Sequence, residues 1–252
     1  MDANSTRQLI AVFGALAFLG TVACLFAAAV AFLGTLFIGE PRLSNWSSAI
    51  TRWLFGGRGI RLKILVAASI LIAGYATVLV GASLASSEKV LQPGAEKYFC
   101  EIDCHLAYSI ANAKSAREIN GTQARGTFYV LSLRTRFDET TISSRRGNGP
   151  LEPSPKQLTL IDAAGNRHEI SAAGQAALES SAAAGSPILT PLRPGESFTS
   201  NFVFDLPGGT QNAKLQLESI DSPSWIGKLV IADEASILHK KTLLAVPDAK
   251  AP

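Results

Sequence analysis

The chain has 252 residues, of which 47% are hydrophobic, and a formal net charge of +3. The apolar excess is concentrated in two uncharged runs near the start, which is unlike a water-soluble globular chain. Residues 88–252 hold nearly equal numbers of acidic and basic side chains. Phosphate contacts supply most of the affinity for nucleic acids, so a near-neutral domain is a poor nucleic-acid binder. We therefore expect no nucleic-acid partner.

The two apolar runs cover residues 9–38 and 64–87. Each is longer than the about 20 residues that a helix needs to cross a bilayer. A cleaved signal peptide would have an apolar core of roughly 7–15 residues, which is about half of the first run. Together the runs predict a two-helix transmembrane hairpin over residues 1–87, with the lipid bilayer as its partner.

The loop between the runs, residues 39–63, carries five basic side chains against one acidic side chain. Positively charged short loops stay on the cytoplasmic side of a membrane. We therefore expect this loop to be cytoplasmic, in a bacterial inner (cytoplasmic) membrane, and the C-terminal domain to be periplasmic or extracellular.

Three further patterns lie in this anchor. Apolar residues recur at helical spacing over 43–54, which fits either a short helix in the membrane interface or a plain hairpin loop. The glycine-rich stretch 56–59 predicts a flexible turn into the second span. Small residues within the spans would allow close packing against another membrane protein. These are Gly14, Gly20, Gly34, Gly74 and Gly81.

Beyond a linker and cysteine turn at 88–104, residues 105–246 show the alternation of strands separated by turn residues. Strands are expected over 106–110, 127–137, 158–160, 168–170, 197–205, 214–219, 228–232 and 236–246, with a turn at 162–166 and a short helix at 172–184. Such spacing is typical of an antiparallel β-sandwich. The predicted fold is thus a mainly β domain, an immunoglobulin-like sandwich with one short helix, on two transmembrane α-helices. The tail, 247–252, is expected to be disordered.

Two short motifs carry a resemblance to a known family. The sequence Leu-Arg-Pro-Gly-Glu-Ser at 192–197 is followed by Phe-Val-Phe-Asp-Leu-Pro at 202–207. Together with the hairpin residues at 158–166, this segment resembles bacterial extracytoplasmic domains of telokin-like immunoglobulin fold. The resemblance implies a sandwich of seven to nine strands over about residues 104–245, without shared catalytic residues.

The strongest candidates for a disulfide, a haem or a metal site are Cys100, Cys104 and His105, which lie close together in the sequence. An oxidising compartment favours a Cys100–Cys104 disulfide. In a continuous strand, residues four apart are about 13 Å apart, whereas a disulfide needs Cα atoms within about 7 Å. The bridge therefore requires a turn, and a continuous strand would leave two buried thiols. The same residues would also fit a c-type haem attachment site, or a redox or metal site that uses the two cysteines and His105.

The remaining polar residues form no catalytic constellation, and we expect neither an enzyme nor a bound cofactor. Arg134, Arg136, Arg145 and Arg146 cluster near one strand and loop, and they fit either a solvated sheet face or a contact with an anion or a lipid headgroup. The sequence therefore favours a non-enzymatic binding or interaction module with an envelope protein as partner. An accessory subunit of a larger membrane complex is the alternative in which the helices matter most.

Overall fold

The computed structural model describes residues 3–37, 57–99, 105–143, 145–181, 183–220 and 227–247. The chain divides into two compact units. The first comprises Met1–Ser86 and Trp225–His239, and the second comprises Ser87–Ser224 and Lys240–Pro252.

The first unit contains two apolar helices, α1 (Ala3–Phe37) and α2 (Gly57–Leu84). Within them, Phe13–Leu33 and Leu62–Leu84 are long and apolar enough to span a membrane, with mean hydropathy of 2.5 and 2.3. The predicted pair of apolar helices is confirmed. The flexible turn predicted at 56–59 is wrong over residues 57–59, because α2 already begins at Gly57. The pattern at 43–54 lies outside the described residues.

Residues 227–239, which include the strand expected at 228–232 and the start of the one expected at 236–246, form consecutive turns in the first unit. The amide of Val230 donates to the carbonyl of Gly227 at 3.2 Å, and the amide of Ser236 donates to Asp233 at 3.0 Å. These local bonds use the groups that a sheet would need. The expected strand at 228–232 is therefore wrong, and only Thr242–Ala245 remains of the expected strand at 236–246.

The second unit is a β-rich domain. Its strands are β1 (Lys89–Leu91), β2 (Lys97–Phe99), β3 (Leu106–Ile119), β4 (Thr122–Phe137), β5 (Lys156–Ile161), β6 (Arg167–His168), β7 (Ser197–Leu206), β8 (Lys214–Ser219) and β9 (Thr242–Ala245). In the described part of the chain they form two sheets, in the orders β1-β9-β8-β5-β6 and β2-β3-β4-β7. All pairs are antiparallel except β1 with β9.

The sandwich begins earlier than the sequence suggested. The segment expected to be a linker, 88–104, contains β1 and β2, which join one sheet each. A strand of three residues is too short to show an alternating pattern, which is why neither was predicted. The expected turn at 162–166 and a short helix, α3 (Ala172–Ser180), are both present.

The two sheets enclose one apolar core, to which both contribute fully buried side chains. Its members include Tyr108, Leu131, Leu133, Phe204, Leu160, Leu215 and Leu217. A second, smaller core forms where Leu178 of α3 meets Phe128 and Val203 on the other face of the four-stranded sheet.

The long edge strand β7 is covered along its free side by residues 170–171 and 184–186. The amide of Ser171 donates to Val203 at 2.8 Å, and the amide of Ser186 donates to Thr199 at 3.0 Å. The amide of Asn201 in turn donates to Ala184 at 2.7 Å. Covered edges prevent strand addition by another chain, so this edge of the sandwich is closed.

Candidate functional site: two polar clusters on strand β2

Strand β2 distributes its side chains between the two faces of the four-stranded sheet. Tyr98 lies opposite Ala107, which lies opposite Arg136 on β4. Residues in one such row share a face of the sheet. Because Ala107 has only a methyl group, Tyr98 and Arg136 can meet across it on the outer face. Lys97 and Phe99 point to the opposite, inner face.

The outer cluster consists of Glu96, Tyr98, Arg136 and Asp138. The Arg136 guanidinium donates from Nε and Nη2 to the two carboxylate oxygens of Glu96, at 2.7 and 2.6 Å. Nη2 also lies 3.1 Å from the Tyr98 hydroxyl and 3.2 Å from Asp138 Oδ2. The Tyr98 hydroxyl donates to the same Asp138 oxygen at 2.5 Å. Each charged group in the cluster thus has a charged partner.

These contacts fix the protonation states. Hydrogen bonding to Glu96 raises the pKa of Arg136, and the same bond lowers the pKa of the Glu96 carboxyl. Burial would raise the pKa of Asp138, but hydrogen bonds from Tyr98, Thr140 and Arg136 outweigh it, so this pKa is lowered strongly. Burial, followed by the bond to Asp138, raises the pKa of Tyr98 well above its ordinary value. At neutral pH the tyrosine therefore stays protonated and both carboxylates stay ionised.

The inner cluster consists of two buried lysines around one aromatic ring. Lys97 Nζ donates to the carbonyls of Leu217 and Thr242, at 3.0 and 2.9 Å, on two strands of the other sheet. The same ammonium group lies 4.9 Å from the centre of the Phe99 ring, and Lys156 Nζ lies 4.6 Å from it. Lys156 Nζ donates to the hydroxyls of Ser154 and Ser219. Cation–π contacts and these oxygen acceptors replace water around the two charges. The cluster links the two sheets at this end of the sandwich.

The two predicted disulfide residues, Cys100 and Cys104, lie outside the described residues. The strands on either side of them are described, and Phe99 pairs with Leu106 in antiparallel register. The chain therefore reverses its direction between these two residues. The alternative of one continuous strand through both cysteines is wrong, whereas the disulfide stays a prediction.

His105 is buried beside this hairpin. Its ring stacks on Phe137, with ring centres 5.6 Å apart, and its Nδ1 lies 2.7 Å from Thr141 Oγ1. One ring nitrogen is thus engaged by a hydroxyl and is not available to a metal or a haem iron. Within the described ranges, no three histidine, cysteine or acidic side chains converge as metal ligands would.

The four clustered arginines play separate roles. Arg136 belongs to the outer cluster, so its guanidinium is occupied by carboxylates. Arg146 donates to the Gly149 carbonyl at 2.7 Å and lies 4.8 Å from the centre of the Phe137 ring. Arg134 and Arg145 are exposed. The four therefore do not form one anion-binding patch.

Sequence reasoning missed the partners of Arg136 and both buried lysines. Glu96 and Asp138 are separated by more than 40 residues in the sequence, and no spacing rule connects them. The signal that could have located Lys97 is the alternation of Glu96, Lys97, Tyr98 and Phe99. It spans too few residues to identify a strand.

Comparisons with known proteins give a structural likeness. No family model matches the chain. No curated protein matches it. The crystal structure of MPT63, a secreted protein from Mycobacterium tuberculosis, aligns with 64% of this chain and 99% of its own length. The TM-score is 0.39 and the sequence identity is 14%.

Proposed function

We propose that this chain is a membrane-anchored, extracytoplasmic binding module of the bacterial inner membrane. It binds an envelope protein partner and catalyses no reaction. One observation carries the proposal: two helices of spanning length are followed by a sandwich whose prominent ionisable groups are paired with one another. A guanidinium held by two carboxylates, and a tyrosine kept protonated, stabilise a scaffold and offer no poised acid, base or nucleophile.

The sheet edges limit how such a module would meet its partner. The long edge strand β7 is covered by residues 170–171 and 184–186, while the edge strands β1, β2 and β6 have only two or three residues. Short or covered edges are poor templates for strand addition. We therefore place the partner on loops or on a sheet face.

We further propose that the sandwich is immunoglobulin-like and related to the telokin-like domains. The order β9-β8-β5-β6 supports this, because it corresponds to the G, F, C and C′ strands of an immunoglobulin variable-type sheet. The second sheet differs from that pattern, since the consecutive strands β3 and β4 are neighbours in it.

We also propose that Cys100 and Cys104 are joined by a disulfide that closes the hairpin between β2 and β3. The chain reversal between Phe99 and Leu106 supports this, since it supplies the turn that such a bridge requires. The mass of the intact protein after alkylation, with and without reductant, tests it. Protection of two thiols before reduction is expected. Two freely alkylated thiols, or a haem or metal adduct, would favour the redox or metal alternative.

Purification from native membranes after mild cross-linking tests the binding role. The matched variant replaces residues 1–84 by an unrelated two-helix anchor and keeps the rest of the chain. If the sandwich is the binding module, both proteins capture the same envelope partner in similar yield. Loss of that partner from the swapped variant would refute the proposal.

Loss of the partner from the swapped variant is the result expected if the chain is instead an accessory subunit of a larger membrane complex. One observation favours this alternative: a methyl group added at Gly20, Gly74 or Gly81 would meet no atom within 4 Å. These positions could therefore receive a helix of another protein. Gly14 differs from them, because the carbonyl of Ile231 already approaches it closely.

A further inference from the structure

Residues 227–239, here called the turn segment, expose large apolar side chains. The exposed fraction is 40% for Leu229, 48% for Ile237 and 60% for Leu238. The amide of Ile237 donates to the carbonyl of Lys228 at 3.0 Å, so the two limbs of the segment run side by side at this point. The three exposed apolar side chains therefore come from neighbouring backbone positions.

The turn segment contacts residues that lie inside the two apolar spans. The Tyr75 hydroxyl donates to the carbonyl of Leu229 at 2.5 Å. A Cβ atom at Gly14 would clash with the Ile231 carbonyl oxygen and would lie 3.6 Å from Val230 Cγ1. Tyr75 precedes the end of its span, Leu84, by nine residues, which is about 13 Å along a helix. The segment therefore reaches below the level at which that span ends.

Local hydrogen bonds satisfy part of the backbone of the segment, as such a depth requires. In a bilayer, peptide groups without partners are costly because water is absent. Besides the bonds already described, the amide of Asp233 donates to Val230 at 3.3 Å and the amide of His239 donates to Ser236 at 3.1 Å. The Ser236 hydroxyl donates to the carbonyl of Asp233 at 2.8 Å.

The conformation of Leu238 adds an independent observation. Its φ is +64°, in the left-handed region that side chains other than glycine, asparagine and aspartate rarely adopt. An exposed leucine in water gains nothing that would offset such strain, and strained residues point to sites where surroundings hold them. An apolar environment for its side chain would supply the missing stabilisation.

The charges of the segment set how deep it lies. Lys228 is exposed beside Leu229 and can extend its ammonium group to headgroups. Asp233 and Glu234 lie at the far end of the two limbs and must stay at the headgroup level. We propose that the turn segment is an interfacial membrane anchor, with Leu229, Ile237 and Leu238 inserted into the outer-leaflet lipid beside the spans. The proposal rests on the membrane anchoring proposed above.

Lipid-side fluorescence quenching of the full-length protein tests it. The protein is reconstituted into vesicles of phosphatidylcholine and phosphatidylglycerol. Environment-sensitive probes are attached in a Cys24→Ser background at Leu238→Cys and Ile237→Cys. The matched control is Leu189→Cys, a leucine of the sandwich with 38% exposure. The wild-type Cys24, which is exposed within α1, reports on the span itself. The background without an added cysteine gives the blank.

We expect spin-labelled lipid to quench the probes at 237 and 238 at least about twofold more than the probe at 189, with the reverse order for aqueous iodide. The proposal is overturned if, while the Cys24 probe is quenched by spin-labelled lipid, the probes at 237 and 238 are quenched by lipid no more than the probe at 189. It is also overturned if neither spin-labelled lipid nor iodide quenches the probes at 237 and 238. If the Cys24 probe is also insensitive to lipid, the membrane anchoring itself is refuted and the interfacial anchor with it.

Discussion

Removal of the Arg136 guanidinium is the sharpest perturbation of the sandwich. In Arg136→Met, Glu96 and Asp138 keep their charges but lose their cation, and the aliphatic part of the side chain is retained. Breaking a buried ion pair costs about 3–5 kcal/mol and an exposed pair costs about 0–1 kcal/mol. The exposed fractions are 22% for Arg136, 25% for Glu96 and 7% for Asp138, so the cluster is intermediate. We expect a loss of about 2 kcal/mol in the free energy of unfolding.

The measurement is urea-induced loss of the β-sheet circular dichroism signal, on full-length protein in detergent micelles. Arg134→Met is the matched control, because Arg134 lies two residues away on β4, is exposed, and makes a hydrogen bond to Ser197 at 3.2 Å. Surface substitutions of this kind change stability by about 0.5 kcal/mol or less. Equal stabilities of the two variants would refute the role assigned to the outer cluster.

The loss of stability in Arg136→Met should also depend on pH. In the folded protein, the pKa values of Glu96 and Asp138 are lowered relative to about 4.3 and 3.9 in an unfolded chain. Their stabilisation is therefore complete above about pH 5 and is lost as the pH falls through those unfolded values towards the folded ones. Without Arg136 both pKa values rise. The difference in stability between wild type and Arg136→Met should therefore be largest near neutral pH and shrink in acid.

Two further predictions concern a glycine within strand β4 and the turn at 162–166. Gly126→Ala would force a methyl group against the carbonyl of Leu206, whose carbon is 2.9 Å away, so we expect a loss of about 1–3 kcal/mol. Gly149→Ala, where a methyl group meets nothing within 4 Å, is the control in the same urea experiment. Asp162 accepts the amide of Asn166 at 2.8 Å, and bonds from His168 and Asn166 lower its pKa to about 2. Hydrogen exchange at the Asn166 amide should therefore lose protection in Asp162→Ala, and in the wild type as the pH falls below about 4. Unchanged protection in that variant would contradict the assignment.

The sequence was most informative where strands are long. β4, β7 and β8 each alternate over at least six residues, and the expected ranges 127–137, 197–205 and 214–219 lie within or match the observed strands. Strands of three residues, β1 and β2, carry no period and were assigned to a linker. The apolar run 228–232 has strand-like composition, but its backbone is satisfied by local turns. Composition alone does not distinguish a strand from a series of local turns.

The candidate site was predictable only in part, for a different reason. Arg136 was identified as a candidate because it is close to other arginines in sequence. Its actual partner, Glu96, is brought beside it by the pairing of β2 with β3 and of β3 with β4. Long-range register of this kind is set by packing of the whole sheet and leaves no local pattern.

The location of the sandwich outside the cytoplasm is the claim on which the proposed function and the disulfide depend. It is tested most directly by adding protease to sealed, right-side-out spheroplasts that carry an epitope after Pro252. A second version of the protein carries the same epitope within residues 39–63 as the internal control. Our account predicts that the C-terminal epitope is removed without detergent, whereas the loop epitope survives until the membrane is dissolved. Survival of the C-terminal epitope in sealed spheroplasts would contradict it.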